Sequence, residues 1–166
     1  WRQSQWRLPM RLWRVAAETR SYRADDLTGG GAARSPGRWN NDQEPVVYCA
    51  TTRAMAVLET SAHVDTTGLP LNRFLIEIDV PTATWAKRQT LTPAMLSPAW
   101  AAIPAGAASS RVGSTWLASL SSAILVVPSV IVPEEQIVLI NPRHPTAASI
   151  AAAVVRRFEY DVMFRR

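Results

Sequence analysis

Residues 29–59, GGGAARSPGRWNNDQEPVVYCATTRAMAVLE, bring a cation, an aromatic ring and a carboxylate into one short unit. Arg38 stands in GRWN, Tyr48 closes an apolar run and Glu59 lies on the segment that follows. A glycine-permitted loop, a buried strand and an amphipathic helix would let the three side chains converge. Taken singly, each has a plainer role. Exposed arginine is usually only a surface charge. Tyr48 alone reads as core, and Glu59 alone as a solvated helix position paired with His63 one turn later.

Several other chemistries are excluded by inspection. GGGAARSPG matches neither GxxxxGK[ST] nor GxGxxG before a helix, so a P-loop and a dinucleotide-binding βαβ unit are unsupported. There is no GxSxG, and His63 and His144 are too few for a Ser-His-Asp site or a zinc centre, so no metal is expected. Cys49 falls within an apolar strand, where a thiol behaves as a small inert hydrophobe. No second acid accompanies Glu59 as a glycosidase pair requires. His144, in NPRHP, reads as a structural residue of its loop.

The elements that must position these residues follow from local pattern. RLWRVA, residues 11–16, suits a short strand, and PVVYCA, residues 45–50, a second. Thr51 or Thr52 caps a helix running from Ala54 to about His63, with Ala54, Val57, Leu58, Ser61 and Ala62 on its apolar face. NRFLIEIDVP alternates as a strand stopped by Pro81. Residues 82–112 are rich in Ala, Pro, Ser and Thr and suggest short helical turns. Ser114 or Thr115 begins a short helix in GSTWLASL. AILVVPSVIVPEEQIVLINPRHP, residues 123–145, reads as three short strands divided by prolines in a bent antiparallel or mixed sheet. The closing TAASIAAAVVRRFEYD reads as a helix through Ile150, Val154 and Phe158.

A length of 166 residues fits one domain with a real core. The single cysteine excludes an internal disulfide and a multi-thiolate zinc site, which points to a cytoplasmic protein. The longest apolar run, AILVV, is far short of the about 20 residues of a spanning helix, so no membrane partner is expected. The net charge is +5, and arginines crowd both ends: Arg2, Arg7, Arg11 and Arg14, then Arg156, Arg157, Arg165 and Arg166. That distribution suits an anionic partner, whether nucleic acid, a phosphorylated small molecule or an acidic protein.

RLWRVA, GRWN, PVVYCATTRAMAVLE, VPSVIVP and LINPRHP, in this order and spacing, resemble the RES domain family over about residues 11–162. These are bacterial toxins of RES-Xre type II toxin-antitoxin systems, similar in fold to ADP-ribosyltransferases. The resemblance implies an N-terminal arm over residues 1–10 and a RES domain over 11–166. Its fold would be α+β, a single compact domain in which two small packed β-sheets form an NAD cleft flanked by helices.

It also implies a toxin that consumes NAD by cleaving the nicotinamide-ribose bond, through hydrolysis or phosphorolysis, with NAD as substrate and no cofactor required. The alternatives are ADP-ribosylation of a protein, or a catalytically silent module that binds nucleotide or nucleic acid. The family positions fall on Arg38, Tyr48, Glu59 and Ser129, with Arg14 as an addition. Glu59, Arg38 and Tyr48 would be catalytic, and Arg14, Arg38, Tyr48, Ser129 and Asn40 would bind substrate. Arg38 or Arg14 would hold the pyrophosphate. Glu59 would hold the ribose hydroxyls and stabilise developing positive charge. Tyr48 would stack on nicotinamide, and Ser129 would bond ligand or Glu59. Asn40 would bond the glycine-loop backbone, while the glycines act as the hinge that brings Arg38 to the cleft. The implied partners are NAD, an Xre-type protein antitoxin covering the cleft and a second copy in a homodimer. DNA would be contacted only through the antitoxin.

Overall fold

The computed structural model describes residues 9–62 and 72–160. His63 and most of the expected N-terminal arm lie outside them. The β-branched and aromatic runs form seven strands: β1 Met10–Ala17, β2 Val47–Ala50, β3 Arg73–Val80, β4 Gln89–Thr90, β5 Ile124–Pro128, β6 Gln136–Ile140 and β7 Ala151–Phe158. They share one hydrogen-bonded sheet in the order β4-β5-β6-β2-β1-β3-β7. Among the described residues only β4 and β5 pair in parallel.

The sheet has a seam. β1 matches β3 at eight Cα pairs and β2 matches β6 at four, but β1 and β2 share only Trp13↔Ala50. The described strands thus form one sheet with two sections, β4-β5-β6-β2 and β1-β3-β7, where the resemblance implies two packed sheets. Strand alternation divides their side chains between two apolar clusters. Trp13, Val15, Leu75, Val127 and Leu139 belong to the first, with Met55 and Ala56 from one helix and Trp116 and Leu117 from another. Leu12, Ile76, Ile78, Val126, Val138 and Ile140 belong to the second, which combines strand residues of both sections. Removing each such Val, Leu, Ile or Met side chain from water contributes about 1.5–3 kcal/mol.

Among the described residues four α-helices connect the strands: α1 Gly30–Arg34, α2 Arg53–Ser61, α3 Thr82–Ala86 and α4 Ala107–Ser119. Thr52 is the N-cap of α2, its hydroxyl oxygen accepting from the Met55 backbone N–H at 3.1 Å. Residues 82–106 hold the expected short helical turns, α3 and 3-10 segments at Pro93–Met95 and Pro98–Ala101, together with the unexpected strand β4.

Three local expectations are corrected. α4 begins at Ala107, seven residues before Ser114, because Ala107, Ala108 and Arg111 favour helix ahead of Gly113. Residues 130–133 form no strand: the Ser129 hydroxyl accepts from the Ile131 and Val132 N–H groups, both at 3.1 Å, and closes a turn between β5 and β6. The last segment is a 3-10 turn, Pro145–Ser149, followed by strand β7. Its alanines favour helix in isolation, but the β3 edge supplies a ladder from Arg73↔Phe158 to Asp79↔Ala151, and that tertiary pairing prevails. The His144 ring nitrogen Nδ1 accepts from the Thr146 N–H at 3.1 Å and caps the 3-10 turn.

Candidate active site

Glu59 lies in the last turn of α2, the helix that packs Met55 and Ala56 into the first apolar cluster. Ser129 follows β5 directly and is fully buried. Its Oγ donates to Glu59 Oε1 at 2.5 Å, across seventy residues of sequence. The same oxygen accepts the two turn N–H groups, so it is saturated and can hold the carboxylate in only one direction. Short O–H···O⁻ bonds of this kind are about twice as strong as neutral ones.

Arg38 stands near this pair. Burial lowers its pKa from the ordinary value, while the Glu59 carboxylate and then Tyr48 oppose that shift. Its Nη1 donates to the carbonyls of Trp100 at 2.7 Å and Ala102 at 2.9 Å. Two fixed dipoles therefore orient one edge of the guanidinium, and Trp39, the next residue, stacks on Trp100 with ring centroids 6.0 Å apart. These carbonyls belong to residues 82–112, where no motif marks them; the only signal there is Trp100 itself.

Tyr48 and Asn40 tie the intervening loop together. The Tyr48 hydroxyl donates to Asn40 Oδ1 at 2.7 Å and accepts from the Trp39 N–H at 3.0 Å. Asn40 Oδ1 also accepts from the Gly37 N–H, and Nδ2 donates to the carbonyls of Ala32, Asn41 and Glu44. With its amide engaged at both ends and buried, Asn40 shapes the loop through the α1 backbone. Gly37 is required by contact, since a Cβ there would lie 2.7 Å from the Tyr48 ring. Among the three consecutive glycines, only Gly29 needs to be glycine for its backbone: φ is +74° and a Cβ would meet Val46 N at 2.5 Å. Burial raises the Tyr48 hydroxyl well above its ordinary value, so it is a hydrogen-bonding phenol throughout the physiological range.

Arg14 is not brought to this group. Its strand neighbours Trp13 and Val15 face the cluster that carries α2, whereas Leu12 and Ala16, which share its parity, face the other. Arg14 thus projects from the opposite face of β1. Burial lowers its pKa, with Cys49 and Asp26 opposing the shift. Cys49 is enclosed beside it, donates its thiol to the Val138 carbonyl and is pushed up to about 12 by burial, as befits an inert thiol.

Arg53, at the start of α2, places its guanidinium 3.7 Å from the centroid of the Trp13 ring. Among the described residues no group of three or more His, Cys, Asp or Glu side chains could hold a metal ion. No helix there is long and apolar enough to cross a membrane.

Ser129 and Glu59 are bonded, Arg38 lies close enough to feel the Glu59 charge, and Tyr48 is tied to the loop that carries Arg38. A family model described as the RES domain matches residues 11–162. The chain is 50% identical over 150 residues to the Prs ADP-ribosylating toxin of a Sphingobium species, covering 90% of this chain and 93% of that protein. It is 37% identical over 142 residues to Toxin Res of Pseudomonas putida, covering 84% and 90%. With Toxin Res of Yersinia enterocolitica it shares 33% over 145 residues, covering 87% and 92%. The match spans nearly the whole chain, and the chain belongs to the RES domain family.

Proposed function

We propose that this chain is a toxin that consumes NAD by breaking its nicotinamide-ribose bond in the Glu59 site. The observation that carries the reading is the 2.5 Å contact between Ser129 and Glu59, which holds a carboxylate close enough to Arg38 for its charge to be felt there. Arg38, with Nη1 held by two carbonyls, has its remaining N–H groups to offer a pyrophosphate oxygen. Tyr48 offers one ring face to nicotinamide. As the C1′–N bond breaks, its electron pair leaves with the nicotinamide nitrogen and positive charge grows on the ribose. Glu59 stabilises that charge and accepts hydrogen bonds from the ribose hydroxyls. An acceptor oxygen then bonds to C1′ through a lone pair and releases its proton to solvent.

Water or phosphate as acceptor gives hydrolysis or phosphorolysis. A protein side chain gives ADP-ribosylation, a reading favoured by the printed name of the 50%-identical Sphingobium relative. The toxin works in the cytoplasm and is neutralised by an Xre-type antitoxin lying over the cleft. The test is nicotinamide release from NAD by purified protein, with water, with added phosphate and with candidate acceptor proteins. Glu59→Ala is expected to abolish release while the circular dichroism spectrum stays unchanged. Intact NAD after hours with folded wild-type protein would refute the enzyme reading.

A further inference from the structure

Arg38 and Trp100 stand sixty-two positions apart in sequence, yet one closed ring of contacts joins them. Nη1 of Arg38 donates to the carbonyls of Trp100 and Ala102. The Trp100 indole is buried and stacks on that of Trp39 with 22° between the planes. Trp39 is the residue after Arg38, and its own N–H donates to the Tyr48 hydroxyl. The 3-10 helix Pro98–Ala101 sets the direction of both carbonyls: the Trp100 N–H donates to the Ser97 carbonyl at 2.9 Å, and the Ala102 N–H to that of Ala99 at 3.2 Å. The arginine is thereby held at its base through Trp39 and at its tip through Trp100, and the indole stack locks the two supports together. Clamping Nη1 uses two of the five guanidinium N–H groups and gives a set direction to Nε and Nη2, which share one edge of the plane. Arginine side chains have large rotamer freedom, so one ordered before its ligand arrives binds at a smaller entropic cost.

We infer that Trp100 is the positioning residue of Arg38, which it sets through its carbonyl and its stack on Trp39 so that the Nε–Nη2 edge receives a pyrophosphate as a bidentate fork. The inference rests on the reading of Arg38 as the pyrophosphate ligand of NAD. Planar forks match phosphate oxygens in pairs, and the match is lost when the plane turns. A buried indole that only filled the core would act on the stability of the first apolar cluster and leave the guanidinium where it is. Trp100 instead carries an acceptor for the site arginine on its own backbone. Ring and carbonyl belong to one residue of a short turn, so displacing the ring displaces the clamp.

The test uses the full chain with Trp100→Leu, which keeps an apolar side chain in the cluster but cannot stack, and Trp100→Phe, which can. Affinity for ADP-ribose, which carries the pyrophosphate without the cleavable nicotinamide bond, is measured by calorimetry. Trp100→Leu should bind ADP-ribose about tenfold more weakly than wild type, and Trp100→Phe should stay within about threefold of it. In an Arg38→Ala background, Trp100→Leu should weaken binding no further, because the group it acts through is gone. Arginine side-chain NMR, with the Arg38 signals assigned by their loss in Arg38→Ala, reads the clamp directly. Separate Nη1 and Nη2 resonances are expected in wild type and Trp100→Phe, and one averaged resonance in Trp100→Leu. If Trp100→Leu fails to fold, Trp39→Leu opens the same ring from its other side and is read in the same way. Unchanged ADP-ribose affinity in Trp100→Leu, an equal loss in the Arg38→Ala background, or separate Nη resonances without the indole would overturn the inference. So would a wild-type protein that does not bind ADP-ribose. ADP-ribose binding with NAD left intact would sink the NAD-cleaving reading and leave the positioning role standing.

Discussion

At the scale of single residues, Ser129 is a positioning residue whose hydroxyl does two jobs. It fixes the Glu59 carboxylate and closes the turn after β5. Ser129→Ala should lower the rate of nicotinamide release about 10–100-fold, the equivalent of losing a hydrogen bond to a charged group. Single-turnover kinetics would locate the loss in the chemical step. An unchanged rate would show that Glu59 needs no such support. Arg38, Tyr48 and Glu59 were legible in sequence because they sit within one unit with recognisable spacing. Asn40 was legible as a residue that bonds the loop, and it does so at Ala32. The face of Arg14 was not legible. Alternation along a strand says that neighbours point opposite ways, but it does not say which face will carry the helix bearing Glu59.

At the scale of elements, α4 shows how backbone contact overrides local signals. Gly113 lies mid-helix, where glycine costs about 1 kcal/mol relative to alanine. It is tolerated because a Cβ there would stand 1.7 Å from the Trp39 carbonyl oxygen. Gly113→Ala should therefore destabilise the protein by at least about 1–3 kcal/mol despite improving helix propensity. Urea denaturation would measure it, and a neutral or stabilising result would mean that α4 can move away from the GRWN loop at little cost. The contact was illegible in sequence: GSTWLASL reads naturally as a helix starting after the glycine, and nothing local shows that Trp39 passes there. β7 has the same lesson. Ala-rich residues with Val154 and Val155 suit either helix or strand, and the free edge of β3 decides between them.

At the scale of the whole molecule, the buried thiol and phenol set a limit on alkaline stability. Cys49 is raised from 9.0 to about 12, and the Tyr48 hydroxyl is raised as well. Above pH 9 the unfolded chain loses these protons before the folded one does. The folded state then binds more protons, so its stability is complete below pH 9 and falls as pH rises towards 12. Cys49→Ala should make the decline shallower over that range, by up to about 1.4 kcal/mol per pH unit where the thiol alone differs. Chemical denaturation at pH 8, 9 and 10 would measure the slope, and parallel curves for the two proteins would exclude Cys49 as a contributor. The architecture was legible in sequence to the extent of an α+β domain with most of its strands placed; strand order was not, because it depends on pairings between distant segments.

The seam between β1 and β2 has a consequence for synthesis. The ribosome delivers Arg38, Tyr48 and Glu59 together, but β2 then has only one Cα pair to the strands already made. Its four-pair ladder waits for β6, and the hydroxyl that holds Glu59 waits for residue 129. Until those later residues emerge, the nascent chain carries the side chains of the site without the bond that aims its carboxylate. The order of the chain thus postpones assembly of the site until residue 129 and the β6 strand after it have been made.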